Sequence, residues 1–522
     1  MRPIFFVLLT FRIDLWSKIF NAFLTKLLVL KATLTYDKGT IIIHGLAHLP
    51  FAILDPRTNV LRALALHYSN IREYLKQSGI EYSDHVLSEE TMMFSSSLSP
   101  SSPLFLRDYQ QKAVDNWIRA GLRGCIVLPT GSGKTIIGIR AIEKANSTSL
   151  VVVPTLDLMD QWTATLSKYF PNIRIGSLGG GNDDIQSITV STYDSAYIRA
   201  SFLGNKFSLV IFDEVHHLAA LGYRTIAEQM AAPYRLGLTA TIEREDYLHR
   251  DLPRLVGEVV FQASPDDLAK NKHLASYEIE RRMVELLPEE LEEYRRNMSI
   301  YQQCIKKLTF QRYALSLEKL IMMSGKNRTA REALLARNKA MNIALNSRAK
   351  IEELREILAE NKGAKTIIFT QHNSLVHDIS DKFLIPLITH KTIKEERQDV
   401  LKGFKEGRYM AIVTSKVLDE GVDIPDAELG VILSGTGSAR EFIQRLGRLL
   451  RPKPENNNSN TSSNSTAVTS SSYKGYKKAR LIEIISSETK ETITSARRKR
   501  ALKMMRGTNN YDPAREEMRK ST

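Results

Sequence analysis

The sequence predicts an α/β protein with two doubly wound parallel-sheet domains, a helical insert and a small α+β domain. Three observations predict this class. Short Val- and Ile-rich runs alternate with helical stretches after Leu106, they form two sets, and a basic helical segment separates the sets. Such runs, bounded by Gly or Pro, suit parallel strands buried on both faces. A chain of 522 residues should form about three or four domains.

Composition narrows the class of protein. The net charge of +15 favours a polyanionic partner, nucleic acid first and an anionic membrane surface second. Only Cys125 and Cys304 are present, which gives no disulfide framework and indicates a reducing compartment. Two thiolates are also too few for an all-cysteine zinc or iron–sulfur site.

Residues 1–30 form an apolar extension, in which "IFFVLLTF" (4–11) resembles the apolar region of a signal peptide. No small-residue cleavage site follows. Arg12, Asp14 and Lys18 interrupt the run before the roughly 20 residues that a spanning helix needs. An amphipathic helix is favoured over a membrane anchor, and translation starting near Leu30 is a third interpretation.

The next segment, 31–90, predicts a small domain. "ATLTYDKGTIIIHG" indicates two strands around a Lys-Gly turn, and "NIREYLKQSGI" indicates a helix that ends at a C-cap glycine. A Ser/Pro-rich linker over 91–103 separates this domain from the larger ones.

The first large domain is expected over 104–262 and the second over 263–507. The first contains the runs "CIVLP", "LVVVP", "ITVST", "LVIFDE" and "RLGLTAT"; the second contains "TIIFT", "MAIVTS", "LGVILS" and "ARLIEII". The second also carries an Asn/Ser-rich loop over 455–472, whose composition is typical of disorder. Residues 508–522 form a tail.

The insert, about 290–348, is basic. From Arg296 to Lys350 there are 12 Lys or Arg residues against two acidic ones, with Tyr301, Phe310 and Tyr313 among them. A solvated helical hairpin is the plainer interpretation. Because the excess is one-signed, nucleic-acid contact is favoured, with Lys306, Lys307 and Arg312 as candidate contacts.

"LPTGSGKT" (128–135) has the pattern of a phosphate-binding loop, with Leu128 in place of its first glycine. It follows a predicted strand and opens a predicted helix. Main-chain N–H groups around Thr130, Gly131, Ser132 and Gly133 would then face phosphates. Lys134 would reach the β and γ oxygens, and the Thr135 hydroxyl would ligate Mg²⁺.

"DEVHH" (213–217) follows an apolar strand, where the crevice of an open α/β sheet lies. Asp213 can hold Mg²⁺ and Glu214 can polarise the attacking water. A zinc site would need an HExxH register or a third spaced ligand, and neither is present. His216 is expected to sense the γ-phosphate or a neighbouring threonine, while His217 is either functional or simply packed.

Several further stretches occur in a familiar order. They are "LRDYQ" (106–110), "VVVPTLDLMDQW" (151–162), "ITVSTYDSA" (188–196), "LTAT" (238–241), "IIFTQHN" (367–373), "TSKVLDEGVDIPDA" (414–427) and "QRLGRLLRP" (444–452). Together with the two motifs above, they resemble superfamily 2 helicases over about 31–507. "RED" (244–246), the basic insert and the N-terminal domain resemble the XPB family in its archaeal-type short form. The resemblance implies RecA-like motor domains, a thumb and a damage-recognition domain.

The resemblance also implies roles at the nucleotide. Arg107 and Gln110 would contact adenine, Gly421 and Asp423 would complete the nucleotide side, and Thr239 and Thr241 would couple hydrolysis to strand contacts. Arg448, Arg451 and Gln444 would act from the second motor domain, the arginines as fingers that neutralise charge on the transferred phosphoryl group. ATP would bind between the two domains and close them.

Nucleic-acid contacts are implied as well. Pro154, Thr155, Gln371 and Thr414 would touch the backbone from loops after strands. Arg244, Glu245 and Asp246 would help part the duplex, although "RED" can also be a surface turn.

The implied activity is an ATP-dependent 3′–5′ DNA helicase of nucleotide excision repair, with transcription as a second context. Mg²⁺ would accompany ATP, and the typical archaeal partner is an XPB-associated nuclease. In an archaeon the protein would be cytoplasmic and nucleoid-associated. The alternatives are a double-stranded DNA translocase that separates little, an RNA helicase, and a nucleic-acid-binding scaffold with a dead motor. The last would usually lack Lys134 or Glu214, which are both present.

Overall fold

The computed structural model describes residues 31–88, 100–101, 103–244, 246–270, 277–308, 316–415, 427–434, 479–496 and 498. The chain divides into two compact units. The first comprises Met1–Ile126, Thr135–Leu238 and Asp246–Val260; the second comprises Val127–Lys134, Thr239–Glu245 and Phe261–Thr522. A five-stranded sheet and two larger, mainly parallel sheets confirm the predicted fold class.

The N-terminal domain is a small sheet with one helix. Its elements are β1 (Ala32–Asp37), β2 (Thr40–His44), β3 (Ala52–Asp55), β4 (Val60–Leu64), α1 (Tyr68–Gln77) and β5 (Tyr82–His85), with strand order β3-β4-β2-β1-β5. β1 and β2 pair antiparallel across Lys38 and Gly39, whose φ angles are 43° and 90°. Two positive φ values are typical of the primed turns that match strand twist. The predicted hairpin is confirmed, as is the helix, which Gly79 follows at φ 66°.

This domain docks on the first large domain through Tyr36 of β1. The Tyr36 hydroxyl donates to the carbonyls of Ser201 and Gln229, at 2.8 and 3.0 Å. A Cβ on Gly204 would stand 1.9 Å from the Tyr36 oxygen, so only glycine leaves room for this contact. Burial raises the pKa of Tyr36 to about 12. Tyr36 therefore joins two folded parts that are distant in sequence.

Replacing Tyr36 by Phe should loosen this docking, because two carbonyls in a partly buried contact lose their donor. We expect a loss of about 1–3 kcal/mol of stability, measured by urea denaturation, and faster proteolysis in the predicted linker over 91–103. Tyr74→Phe is the control, since Tyr74 lies exposed on α1. The raised pKa means that the Tyr36 contribution is complete below pH 10 and is lost as pH rises towards about 12. A flat pH profile in this window would contradict the assignment.

The first large domain has an eight-stranded sheet. Its strands are β6 (Arg123–Val127), β7 (Ser149–Val153), β8 (Ile175–Gly179), β9 (Asn182–Asp184), β10 (Ile188–Thr192), β11 (Leu209–Asp213), β12 (Tyr234–Thr239) and β13 (Val259–Gln262), in the order β13-β6-β12-β11-β7-β10-β8-β9. Its helices are α2 (Asp108–Arg119), α3 (Lys134–Ala145), α4 (Leu156–Tyr169), α5 (Tyr193–Ile198), α6 (Ala200–Leu203), α7 (Arg224–Gln229) and α8 (Leu252–Leu255). A short helix, α9 (Pro265–Lys270), follows β13 beyond the predicted end of this domain.

The central strands of this sheet explain the apolar runs. Every residue of β7, β10 and β11 is buried, as parallel strands covered on both faces require. Val152 pairs in register with Ser191 on one side and Phe212 on the other. The carboxyl ends of these three strands therefore lie side by side, and the residues that follow them share one edge of the sheet.

A fully buried arginine, Arg235, holds the start of β12. Its guanidinium donates at 2.5–3.1 Å to four main-chain carbonyls, those of Ala227, Met230, Ala232 and Leu255. Burial lowers the pKa of this group. The planar, five-donor guanidinium can satisfy this many acceptors at once, whereas a lysine ammonium has only three donors.

The second large domain begins with β14 (Tyr277–Val284) and a helical hairpin. The hairpin comprises α10 (Pro288–Leu308), α11 (Leu317–Ser324) and α12 (Arg328–Leu345). One face of α12 presents buried small residues: Ala330, Ala333, Ala336, Ala340 and Ala344. Small side chains let α10 pack closely, and Tyr294, Met298 and Cys304 of α10 complete the two apolar clusters. The described part of the basic insert is thus helical, as its periodicity predicts, and its helices pack around two small apolar clusters.

The remainder of this domain is a six-stranded parallel sheet with flanking helices. Its further elements are α13 (Arg348–Glu360), β15 (Thr366–Phe369), α14 (Asn373–Phe383), β16 (Leu387–Ile388), α15 (Lys394–Glu406), β17 (Ala411–Thr414), β18 (Leu429–Ile432) and β19 (Ala479–Ser486). The strand order is β14-β19-β18-β15-β17-β16, and adjacent strands are parallel throughout.

One lysine of the basic segment is buried in this domain. Lys350, at the start of α13, is fully buried, and its ammonium lies 2.7 and 2.8 Å from the two carboxylate oxygens of Glu491. It also donates to the carbonyl of Leu433, at 2.7 Å. Lys350 counts towards the basic excess in the sequence, but its position excludes it from any surface contact with nucleic acid.

Two features concern the chain as a whole. Cys125 and Cys304 are both buried and free. Among the helices in the described ranges, none combines the length and apolar character that crossing a bilayer requires.

Candidate functional site

The loop "PTGSGK" connects β6 directly to α3. Gly131 and Gly133 have φ angles of 82° and 80°, values that L-residues rarely adopt, and between them the N–H of Ser132 donates to the Pro129 carbonyl at 3.3 Å. The N–H of Leu128 donates to the carbonyl of Thr239 at 2.9 Å, which fixes the start of the loop against the end of β12. Lys134 donates from its ammonium to the Leu128 carbonyl at 3.3 Å. Its side chain therefore folds back over the loop that it would serve.

Buried hydroxyl groups surround this loop and the "LTAT" segment. Among the described residues, Thr130 Oγ1 and Thr241 Oγ1 are buried and have no hydrogen-bond partner. Such a group costs about 1–3 kcal/mol, so it is typical of a site that binds a polar ligand. Ser132 is also buried. The Thr239 hydroxyl, in contrast, donates to the Thr241 carbonyl at 2.8 Å and fixes that segment.

Asp213 is the last residue of β11 and is only 5% exposed. Its Oδ2 accepts a hydrogen bond from the indole Nε1 of Trp162 at 2.8 Å. Its Oδ1 accepts from the N–H of Glu214 at 2.9 Å. The Asp213 carbonyl accepts from the Tyr193 hydroxyl at 3.1 Å. The carboxylate is therefore held in one orientation by contacts from α4 and from its own turn.

Glu214 has left-handed backbone angles, φ 48° and ψ 54°, which a non-glycine residue adopts at a cost of about 1 kcal/mol or more. The N–H of His217 donates to the Glu214 carbonyl at 3.0 Å and stabilises the turn. This strained turn reverses the chain at the strand end and leaves the Glu214 side chain 13% exposed.

The two histidines of "DEVHH" pack beside this turn. His216 is fully buried, with Nδ1 3.6 Å from Glu214 Oε2, and its ring centroid lies 4.3 Å from that of His217. His217 in turn packs against Tyr193, with ring centroids 5.8 Å apart. Packing is thus observed for both rings, and a sensing role for His216 stays a prediction.

Thr135 and Asp213 each offer an oxygen ligand of the kind that Mg²⁺ prefers, and a magnesium site formed by the two stays a prediction. Mg²⁺ prefers oxygen ligands and binds through one or two carboxylates together with substrate phosphates. Thr135 offers a hydroxyl at the N-terminal turn of α3, and Asp213 offers a carboxylate whose orientation is already fixed.

Arg107 and Gln110, the predicted adenine contacts, lie together at the start of α2. The Gln110 side-chain carbonyl accepts the N–H of Arg107 at 2.9 Å, which caps the helix. Gln110 is 5% exposed. Its amide is therefore already oriented by the helix start, and contact with a base stays a prediction.

Of the predicted nucleic-acid contacts, Pro154 and Thr155 follow β7 and are partly exposed. Thr155 is the N-cap of α4, where its hydroxyl accepts from the N–H of Leu158 at 3.3 Å. Gln371 is also partly exposed, after β15. Thr414 differs from the prediction, because it is fully buried and its hydroxyl donates to the Ser415 carbonyl at 3.0 Å.

The "RED" segment is described except for Glu245. Arg244 is partly exposed, and Asp246 is exposed. The Asp246 carboxylate accepts from the N–H of Leu248 at 3.1 Å. This i-to-i+2 bond is typical of a local turn, so Asp246 forms a turn, and its role in parting the duplex stays a prediction.

The basic hairpin exposes Lys306 and Lys307 in the last turn of α10. Tyr301 is partly buried in the hairpin core, where the Lys490 ammonium lies 4.6 Å from its ring centroid. Its aromatic face is therefore engaged within the protein. The remaining predicted residues lie outside the described part of the chain: Arg312, Gly421, Asp423, Gln444, Arg448 and Arg451.

Sequence reasoning missed two residues that contact Asp213. Trp162 and Tyr193 stand inside the stretches "VVVPTLDLMDQW" and "ITVSTYDSA", but their residue types alone indicate no role. The available signal was their position after strands of the same sheet: Trp162 lies on the helix that follows β7, which neighbours β11, and Tyr193 directly follows β10, one strand further away. An aromatic residue there is equally typical of core packing.

Three family models match this chain. They are the type III restriction enzyme res subunit at residues 104–244, the xeroderma pigmentosum group B helicase damage recognition domain at 34–86, and the helicase conserved C-terminal domain at 349–453.

Curated relatives match over most of the chain. The DNA 3′–5′ translocase XPB2 of Sulfurisphaera tokodaii is 41% identical over 467 residues, 89% of this chain and 99% of the relative. The DNA 3′–5′ helicase XPB of Kineococcus radiotolerans is 28% identical, over 76% of this chain and 62% of the relative. The general transcription and DNA repair factor IIH helicase/translocase subunit XPB/SSL2 of Saccharomyces cerevisiae is 26% identical, over 73% of this chain and 43% of the relative.

Proposed function

Because the chain belongs to the XPB family of DNA 3′–5′ helicases and translocases, we propose that Asp213 and Glu214 catalyse ATP hydrolysis. This hydrolysis would move the protein along DNA. The observation that carries this proposal is the oriented carboxylate of Asp213 beside the strained turn of Glu214, at the carboxyl end of β11. An acidic pair at this edge of a parallel sheet suits phosphoryl transfer to water.

The proposed chemistry assigns each residue a separate task. Main-chain N–H groups of the loop at Gly131 and Gly133 bind the phosphates, and Lys134 leaves the Leu128 carbonyl to contact the β and γ oxygens. Glu214 orients the attacking water and accepts its proton. Thr135 and Asp213 would hold Mg²⁺, which neutralises charge on the phosphate oxygens.

The second motor domain is proposed to complete the site. Arg448 and Arg451, with Gln444, would neutralise charge that develops during hydrolysis, and domain closure would bring them to the nucleotide. Gly421 and Asp423 would contact the same nucleotide. These assignments rest on the family resemblance of their motifs.

A DNA repair role is proposed for the same motor. The damage-recognition match at 34–86 and the docking of that domain through Tyr36 support it. A scaffold with a dead motor and an RNA helicase are not favoured by the relatives, which are named as DNA enzymes. The relatives are named both as translocases and as helicases. Translocation along duplex DNA with little strand separation therefore stays the alternative to unwinding. An associated nuclease and a nucleoid-associated location stay predictions.

Measurement of DNA-stimulated ATP hydrolysis tests the proposal. We expect duplex DNA to raise the rate and Lys134→Ala to abolish both the rate and the stimulation, because the phosphates lose their cation. Lys144→Ala is the matched control, since Lys144 lies at the other end of α3. No stimulation of the wild type, together with an unchanged rate in Lys134→Ala, would overturn the proposal. Strand displacement on matched DNA and RNA forks then separates unwinding from translocation.

The basic hairpin should bind the DNA backbone through Lys306 and Lys307. Replacing both by Ala should weaken DNA binding and reduce the slope of log K against log salt concentration by about 0.9 for each phosphate that the protein no longer neutralises. Lys402→Ala with Lys405→Ala is the control, because these exposed lysines share α15 in the same domain. An unchanged slope in the Lys306 and Lys307 variant would exclude this part of the hairpin from the DNA-binding surface.

A further inference from the structure

Trp162 lies on α4, the helix that follows the predicted DNA contacts Pro154 and Thr155. It joins this helix to the carboxylate of Asp213, the predicted Mg²⁺ ligand. Its ring is fully buried, and its indole N–H donates to Asp213 Oδ2 at 2.8 Å. We propose that Trp162 is a positioning residue that orients Asp213 for Mg²⁺ and transmits strand engagement at Pro154–Thr155 to it. This inference rests on the proposed function and specifies how bound DNA would stimulate ATP hydrolysis.

The geometry around the indole leaves little freedom. A Cβ on Gly138 would lie 2.5 Å from the Trp162 ring, so the ring packs directly against α3, the helix that the phosphate-binding loop opens. The indole N–H meets a carboxylate, and a hydrogen bond to a charged acceptor is shorter and stronger than one to a neutral acceptor. Movement of Trp162 must therefore move the Asp213 carboxylate or break this bond.

α4 is the rigid connection to the nucleic-acid side. Thr155 caps this helix and Trp162 stands about two turns further along, roughly 10 Å away. The intervening Met159 is buried against the domain, so the helix cannot fray without exposing core. When a bound strand displaces Thr155, α4 should therefore shift slightly as a unit, and Trp162 moves with it.

The test compares Trp162→Phe with Trp117→Phe in the full-length chain. Both indoles are fully buried in the same domain, but Trp117 donates to a neutral acceptor, the carbonyl of Arg235, at 2.9 Å. ATPase rates are measured against Mg²⁺ concentration, with and without duplex DNA. Binding of a fluorescent ATP analogue is measured in EDTA, and circular dichroism reports folding.

For Trp162→Phe we expect the Mg²⁺ concentration at half-maximal rate to rise about tenfold, with kcat recovered at saturating Mg²⁺. DNA should lower this concentration in the wild type and in Trp117→Phe but not in Trp162→Phe. Binding of the analogue in EDTA should stay unchanged, because that step does not use the oriented carboxylate. This combination would support the positioning role.

Two outcomes would overturn the inference. One is a Trp162→Phe protein with the Mg²⁺ profile of the wild type. The other is weakened analogue binding in EDTA with no recovery at high Mg²⁺, which would indicate a purely structural role. Absence of DNA-stimulated hydrolysis in the wild type would instead refute the proposed function. Should Trp162→Phe fail to fold, Gly138→Ala keeps the N–H but displaces the ring, and the same shift is expected.

Discussion

Replacing Glu214 by Gln is expected to lower kcat for ATP hydrolysis by about 100- to 10,000-fold, the usual contribution of a positioned general base. This corresponds to roughly 3–5 kcal/mol of barrier. Gln keeps the size of the side chain and makes no new demand on the strained backbone at φ 48°, but its amide cannot accept a proton from water. ATP binding should persist, because the phosphate-binding loop is untouched.

The measurement for Glu214→Gln is the steady-state rate with DNA present, together with the affinity for a fluorescent ATP analogue. Glu228→Gln is the matched control. It removes the same charge from the same domain, where Glu228 forms a surface ion pair with Arg254 at 2.6 Å. A rate within a factor of a few of the wild type in Glu214→Gln would remove Glu214 from the chemistry.

Replacing Lys350 by Met is expected to destabilise the second large domain by about 3–5 kcal/mol, because the Glu491 carboxylate is then buried without its cation. Both side chains are at most 2% exposed. Surface ion pairs contribute only about 0–1 kcal/mol. Lys382→Met is therefore a sharp control, since Lys382 makes an exposed pair with Glu352 at a similar distance, 2.8 Å. Midpoints of urea denaturation provide the comparison.

A second substitution and a pH series test the physical reason. Combining Lys350→Met with Glu491→Leu should restore much of the stability, because neither member of this pair is then left as an uncompensated buried charge. In the intact protein, burial raises the pKa of Glu491 while the Lys350 ammonium lowers it, so removing Lys350 should raise this pKa further. A carboxyl with a raised folded-state pKa favours folding at low pH and loses that contribution as pH rises through the folded-state value. The deficit should therefore shrink as pH falls from about 7 towards the ordinary carboxyl range, and a constant deficit would contradict this assignment.

Local sequence patterns were sufficient to predict the central strands of both large sheets. The runs around Val151 and Ile211 are fully buried strands, as their Val and Ile content predicts. The Lys38–Gly39 hairpin turn also follows from its residues alone, because few residues tolerate positive φ. These features depend on interactions within a few positions, which a linear sequence displays directly.

Pairings between distant residues could not be predicted in this way. Trp162 and Asp213 are 51 positions apart, and Lys350 and Glu491 are 141 apart. A tryptophan on a helix and a lysine in a basic segment each have many possible environments, and the sequence does not show which one folding selects. The same applies to Thr414, whose motif predicted a contact with the nucleic-acid backbone from a loop but whose side chain is buried at the end of β17.

The sequence by itself determined the chemistry available to this protein: a loop for phosphates, an acidic pair after a buried strand, and the order of motifs that identifies the family. Only the tertiary structure decided which side chains support that chemistry. Orientation of the Asp213 carboxylate and burial of the Lys350 ammonium arise when whole elements pack, because packing sets the solvent exposure and the partners of each polar atom.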